Sequence, residues 1–128
     1  MLYYLGTVLP LEFDEAIRRV TEALKREGFG IITEIDVTAT LKSKLGVEFR
    51  PYRILGACNP ALAHEALLLE DKVGTMLPCN VIVQELAPGR VEVAAVDPVA
   101  SMMAIDNPDL HAKAAAVRAK LKQAIDSL

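Results

Sequence analysis

The sequence predicts a two-layer α+β sandwich in which helices cover one face of a sheet of about five strands. Some segments alternate between apolar and polar residues, as half-buried strands do. Between them lie segments whose apolar residues recur every three or four positions, as on one face of a helix. Two of the strands are joined by a short Pro-Gly turn, so the sheet contains an antiparallel pair and is mixed or antiparallel. The chain has 128 residues, 52% apolar and 24% charged, enough for the core of a single domain over residues 1–128.

Three strands and two helices are predicted in the first half of the chain. Alternation and β-branched residues place the strands at residues 2–8, 30–36 and 50–58. A helix lies between the first two strands, because one apolar stripe recurs at helical spacing: Phe13, Ile17, Val20 and Leu24. Asp36 is predicted to cap a shorter helix that ends at Gly46.

The second half is predicted to contain a β-hairpin and three helices that begin in the same way. The hairpin strands cover residues 79–86 and 91–96, and a loop is expected at residues 73–77. Each helix starts at an Asx-Pro pair, because Asn or Asp accepts a hydrogen bond from a free amide and proline has no amide to leave unpaired. These pairs are Asn59-Pro60, Asp97-Pro98 and Asn107-Pro108.

Four ordered motifs carry a family resemblance that covers essentially the whole chain. They run from Gly28 to Lys42, from Tyr52 to Pro60, from Leu77 to Val81 and from Val96 to Pro98. On these motifs the chain resembles the family described as domain of unknown function 302. The resemblance implies a compact α+β fold similar to half of the TATA-binding-protein fold, paired as a homodimer. It also implies occurrence beside sulfur-handling proteins in some microbes, but no particular activity.

Composition and charge argue against several classes of function. The net charge is −3, basic runs never exceed two residues, and the chain has three Phe, three Tyr and no Trp, so nucleic-acid binding is not expected. No apolar run approaches the roughly 20 residues of a membrane span, and the short apolar N-terminus does not have the form of a secretory signal. We therefore expect a cytoplasmic protein with no membrane partner, whose two cysteines are thiols.

Cys58 and Cys79 are the best candidates for chemistry. Cys58 directly precedes Asn59 at the predicted start of a helix, where the positive end of the helix dipole favours a thiolate. If the two cysteine-bearing strands are neighbours, the sulfurs lie near each other at one sheet edge, where they would exchange a disulfide, carry a persulfide or bind a soft metal. Free cysteines also pack as small apolar residues, and capping alone accounts for Asn59, so a structural role stays open.

Strand-end carboxylates and one basic segment are further candidates. Asp36 and Asp97 each end a strand and begin a helix, so both would serve as a base or ligand in a shared cleft, although capping explains each of them. Arg50, Tyr52 and Arg53 would bind an anion, or would belong to an edge strand defended by charge and proline.

The histidines and methionines give weaker signals. His64 would act as a ligand or base on the helix after Pro60, but it has no acidic partner at a suitable spacing, and neither has His111. His64 is expected to be a surface group or a satisfied core group, and His111 is expected to be solvated. Met76, Met102 and Met103 would form an apolar patch at a dimer contact or ligand mouth, and ordinary core packing is the alternative.

Three functions are open from the sequence. No Gly-rich phosphate loop, nucleophile elbow or metalloprotease motif is present, so the first is a non-catalytic homodimeric module that binds a small molecule or a protein, without a cofactor. The second is a thiol-dependent enzyme or sulfur carrier that uses Cys58, Cys79 or both. The third is a metal or haem site built across a dimer from the cysteines and His64. The candidate site consists of Cys58, Cys79, Asn59 and Asp97.

Overall fold

In the computed structural model, which describes residues 2–128, a five-stranded sheet is packed against helices. The strands are β1 (Tyr4–Leu9), β2 (Gly30–Asp36), β3 (Tyr52–Cys58), β4 (Cys79–Ala87) and β5 (Arg90–Val96). The helices are α1 (Phe13–Arg26), α2 (Val37–Leu45), α3 (Pro60–Leu69), α4 (Pro98–Ser101) and α5 (Pro108–Asp126). The predicted α+β class is confirmed. All four pairings are antiparallel, in the order β1-β5-β4-β3-β2, so the sheet is not mixed.

The main core lies between α1, α5 and one face of the sheet. Alternate residues of the two central hairpin strands are fully buried there, and they are Val81, Val83, Val91, Val93 and Ala95. Val20 and Leu24 of the predicted α1 stripe are buried against them, while Phe13 and Ile17 pack at the margin. Burial of a valine or leucine side chain is worth about 1.5–3 kcal/mol, so this core is a large stabilising contribution to the fold.

A smaller cluster of buried side chains joins α3, α4 and α5 beyond the end of the sheet. Its members are Ala66, Val73, Met102, Leu110 and Ala114. The loop predicted at residues 73–77 is largely a 3₁₀ helix, Asp71–Met76, because Val73 is fully buried and holds the segment against the helices. No helix within residues 2–128 has the length and apolar character needed to cross a membrane.

The predicted helix starts are present and determine where the chain leaves the sheet. The Asn59 side chain accepts from the amide of Leu62 at 3.3 Å, and the Asn107 side chain accepts from the amide of Leu110 at 3.1 Å. Asp97 caps α4 in the same way. Because β3 and β5 are each antiparallel to β4, they run in the same direction, and α3 and α4 therefore begin at the same end of the sheet.

Gly56 is required by close packing on the helix-free face of the sheet. A Cβ atom at this position would collide with Thr33 Oγ1 and would lie 2.7 Å from Pro78 Cγ. A Cβ atom at Gly30, on the neighbouring strand, would meet no atom within 4 Å. The two glycines are therefore matched positions that differ in the space available.

We expect Gly56→Ala to lower the free energy of unfolding by about 1–3 kcal/mol, the usual cost of overpacking, because backbone and side chains must move to admit the methyl group. Urea unfolding followed by circular dichroism measures this change. Gly30→Ala is the control and should leave the midpoint unchanged or slightly raised. Equal stability of the two variants would show that the contact of Gly56 with Thr33 and Pro78 is not tight.

Candidate functional site

An apolar cavity of about 360 Å³ lies at the end of the sheet where β3 ends and β4 begins. The sheet side contributes Phe29 and Ala57, and α3 and α5 close the other sides. The facing surfaces of the two helices carry Ala63, Ala66 and Ala114. Because an alanine side chain ends at Cβ, these surfaces cannot fill the space between them, and the cavity results.

Cys58 and Cys79 both line this cavity as free thiols. β3 and β4 are neighbours, and Cys79 pairs with Ala57, the residue next to Cys58. Both strands are interior to the sheet, so the cysteines lie at strand ends rather than on an edge strand. Cys79 is only 6% exposed, whereas Cys58 is half-buried.

The surroundings of Cys79 favour its protonated form. Burial and, to a smaller extent, the neighbouring Cys58 together raise the pKa of the Cys79 thiol from its ordinary 9.0 to about 11. At neutral pH Cys79 is therefore a neutral thiol. A nucleophile needs the thiolate, so in its neutral form this residue contributes an apolar surface to the cavity wall.

Asn59 combines a structural task with a place in the cavity wall. Its side-chain oxygen caps α3, and its backbone carbonyl accepts from the amide of Ala63 at 2.9 Å. The Cβ position of Gly28 would lie 2.9 Å from Asn59 Nδ2, so the loop before β2 packs directly against this amide. The geometry accounts for Asn59 as the residue that anchors α3 beside the two thiols.

Asp97 lies outside the cavity and is occupied by structural bonds. It is 8% exposed, and Oδ1 accepts from the amides of Val99 at 3.0 Å and Ala100 at 3.4 Å. Oδ2 accepts from Arg118 Nε at 2.9 Å. The predicted shared cleft with Asp36 is wrong, because Asp36 pairs with Arg53 at the opposite end of the sheet and caps α2 there.

The basic segment before and within β3 does not form an anion site. Arg53 bonds to Glu34 at 2.6 Å and lies 3.7 Å from Asp36, so acidic side chains already neutralise it. Arg50 donates instead to Gln84 at 2.8 Å. The edge-strand interpretation is also wrong, because β3 is hydrogen-bonded to β2 on one side and β4 on the other.

The histidines and the methionines are dispersed. His64 and His111 are both exposed and neither lines the cavity. Met102 is buried and forms part of the cavity wall, whereas Met76 and Met103 are exposed and do not line the cavity. Within residues 2–128 no three His, Cys, Asp or Glu side chains are grouped so that they could hold a metal ion.

Lys113 is a cavity residue that the sequence did not single out. It is the only charged side chain lining the cavity within the described residues, and its Nζ lies 3.0 Å from Glu65 Oε2. The available signal was the concentration of alanines on α3 and α5, which leaves room between the helices. Alanine is also the best helix former, so this signal alone does not distinguish a cavity from an ordinary helix.

Fold and site together define an α+β protein with one helix-covered sheet face and an apolar cavity at the end of that face. A family model described as "Domain of unknown function DUF302" matches residues 6–128, and the chain belongs to this family. The crystal structure of an uncharacterized conserved DUF302 protein from Bacillus stearothermophilus is similar, with a TM-score of 0.90, 30% sequence identity and 98% coverage of both chains. A search of curated proteins found no match. The family resemblance drawn from the four motifs is confirmed, and neither description specifies a function.

The two thiols are expected to differ in reactivity. In a Cys58→Ser variant, the remaining Cys79 should react with an aromatic disulfide reagent at pH 8 about a hundredfold more slowly than a thiol of ordinary pKa, because so little of it is thiolate. Burial would slow it further. Stopped-flow absorbance measures the rate, and Cys79→Ser is the matched control that leaves the more exposed thiol. Fast reaction of Cys79 in the folded protein would contradict its assignment as a wall residue.

The raised pKa of Cys79 also predicts a pH dependence of stability. The unfolded chain releases this proton near pH 9.0 and the folded protein near pH 11, so the unfolded state binds fewer protons between these values. Stability should therefore fall as pH rises through this window, and the fall should be smaller in Cys79→Ala. Urea unfolding at several pH values makes the comparison, and parallel curves for the two proteins would contradict the shift.

Proposed function

We propose that the protein is a non-catalytic module that binds a small apolar molecule in the cavity between the sheet end, α3 and α5. The observation that carries this proposal is the cavity itself, about 360 Å³ with walls that are apolar apart from Asn59, Lys113 and two thiols. This volume falls within the range of small-molecule sites, roughly 300–1,000 Å³. An apolar ligand gains about 25 cal/mol for each Å² of apolar surface removed from water, which favours occupation by such a molecule.

The arrangement supports binding better than thiol chemistry. A catalytic cysteine is activated by a neighbouring base or a lowered pKa, and no histidine or carboxylate lines the cavity in the part of the chain that the structure describes. Cys79 has the opposite shift, towards a neutral thiol. Cys58 is the more accessible of the two, so a sulfur-carrying role would rest on Cys58 alone.

A tryptophan at position 63 should block the proposed site. Ala63 lines the cavity and is only partly buried, so the larger side chain is expected to fill the space without unfolding α3. We expect Ala63→Trp to weaken binding of 1-octanol at least tenfold, as measured by amide chemical-shift titration.

Ala61→Trp is the matched control, because Ala61 is exposed on the same helix and does not line the cavity. It should bind octanol as the unmodified protein does. Octanol shifts that map to the helix-free face of the sheet, or that persist unchanged in Ala63→Trp, would overturn the proposed site.

We further propose that the module acts as a homodimer through the helix-free face of the sheet. One cross-strand row on this face is apolar from edge to edge, and it consists of Ile35, Ile54, Ile82, Ala94 and Gly6. Ile35 is 49% exposed at one edge, and Tyr4, Val8 and Leu86 of the same face are also exposed. Contiguous apolar surface of this kind is typical of protein interfaces.

The size of the face is compatible with a dimer of two identical copies. Five strands about 4.8 Å apart and six residues long cover roughly 480 Å². Two such faces in contact approach the ~1,000 Å² that a specific interface needs. A twofold axis along the row would place each isoleucine against its own counterpart, and the neighbouring row would contribute the hydrogen-bonded pair of Gln84 and Glu92.

Lysine substitution on the row should separate the copies. We expect Ile35→Lys and Ile82→Lys to change the mass measured by light scattering from twice the monomer value to the monomer value, because each would bury an unpaired charge. Leu68→Lys, at a residue 75% exposed on α3, is the control and should remain a dimer. A wild-type monomer, or dimers in all three variants, would exclude this interface.

A further inference from the structure

We infer that the cavity takes an amphiphile with an apolar chain of about eight to twelve atoms and an anionic head, such as a medium-chain carboxylate, whose head is bound by Lys113. The inference rests on the proposed binding function and names the class of ligand. Its basis is the contrast between uniform apolar walls and a single cationic group at the same site.

The position of the charge selects the sign of the head group. Lys113 lines the cavity, whereas its partner Glu65 does not. Lys113 carries three hydrogen-bond donors, and its Nζ forms an ion pair with Glu65 Oε2 at 3.0 Å. Donors therefore remain for a ligand oxygen.

The ion pair is weak enough for a ligand to compete with it. The side chains are 40% and 48% exposed for Lys113 and Glu65 respectively, and exposed pairs contribute only about 0–1 kcal/mol. A lysine stem also lies readily along an apolar surface while its ammonium group stays in water. The ammonium group can thus bind a carboxylate at the cavity mouth while the ligand chain is buried.

The volume limits the length of the chain. A water molecule has a share of about 30 Å³ in the liquid, and a methylene group is of similar size, so about 360 Å³ admits roughly a dozen such groups. Exposed Ile32 and Leu67 belong to the same lining and extend the apolar surface outward. A longer chain would project into solvent, so each further carbon would add less to the binding free energy.

Calorimetric titration of the 128-residue chain with hexanoate, octanoate, decanoate and the matching alcohols, all below their micelle-forming concentrations, tests the inference. Affinity should rise about fourfold for each added methylene until the cavity is filled. Lys113→Met should weaken decanoate binding about three- to tenfold and leave decanol binding unchanged. Glu65→Gln should strengthen decanoate binding, because it removes the competing carboxylate.

Lys120→Met is the matched control, because Lys120 is an exposed lysine of the same helix that does not line the cavity. It should bind both ligands normally. If carboxylate and alcohol bind equally and Lys113→Met affects neither, the head-group inference fails while the binding function survives. If decylammonium binds more tightly than decanoate, the inferred negative charge of the ligand head group is wrong. If no chain binds, or if Ala63→Trp leaves chain binding unchanged, the proposed function itself fails.

Discussion

The cavity depends on the hydrogen-bonded junctions at which three helices begin. Asn59 and Asp97 follow β3 and β5, which run in the same direction, so α3 and α4 leave the sheet at one end. Asn107 caps α5, and its Nδ2 donates to the carbonyl of Leu69 at 3.0 Å, which joins the start of α5 to the end of α3. Each cap is worth about 1 kcal/mol, but together the caps fix the directions of the helices that form the walls.

The same bonds explain why the polar groups near the cavity are poorly suited to catalysis. The oxygens of Asp97 are bonded to two backbone amides and to Arg118, so this carboxylate is already engaged in capping α4 and in an ion pair. Asn59 is held by its cap on α3. The two thiols remain, and burial keeps the proton on Cys79. Catalysis would require an additional activated side chain, whereas the proposed binding of an apolar molecule requires only the cavity.

Local structure was predictable from the sequence because local signals determine it. Gly46 ends α2 as predicted, with a φ of 69°, and Gly28 follows α1 with a φ of 88°, since glycine reaches this left-handed region without strain. The order of the strands was not predictable in the same way, because pairing is set by contacts distant in sequence. Both errors about Asp36 and about β3 as an edge strand follow from this. The position of the cavity was not predicted, because the cavity arises where alanine side chains of two helices are too short to meet, and this depends on how the helices pack.

The two-residue period of β3 and β4 separates the two apolar surfaces of the molecule. Ala57 and Cys79 face the helices and line the cavity, whereas Ile54 and Ile82 lie on the opposite face and form a cross-strand pair. The two faces of the same sheet therefore differ in shape. The helix-covered side has a cavity with the volume of a small-molecule site, and the opposite face is flat and extended. A flat sheet face can bury area only against another extended surface, and a narrow cavity only around a small molecule. We propose on this ground that the two surfaces take different occupants, a small molecule in the cavity and a second copy of the chain on the flat face.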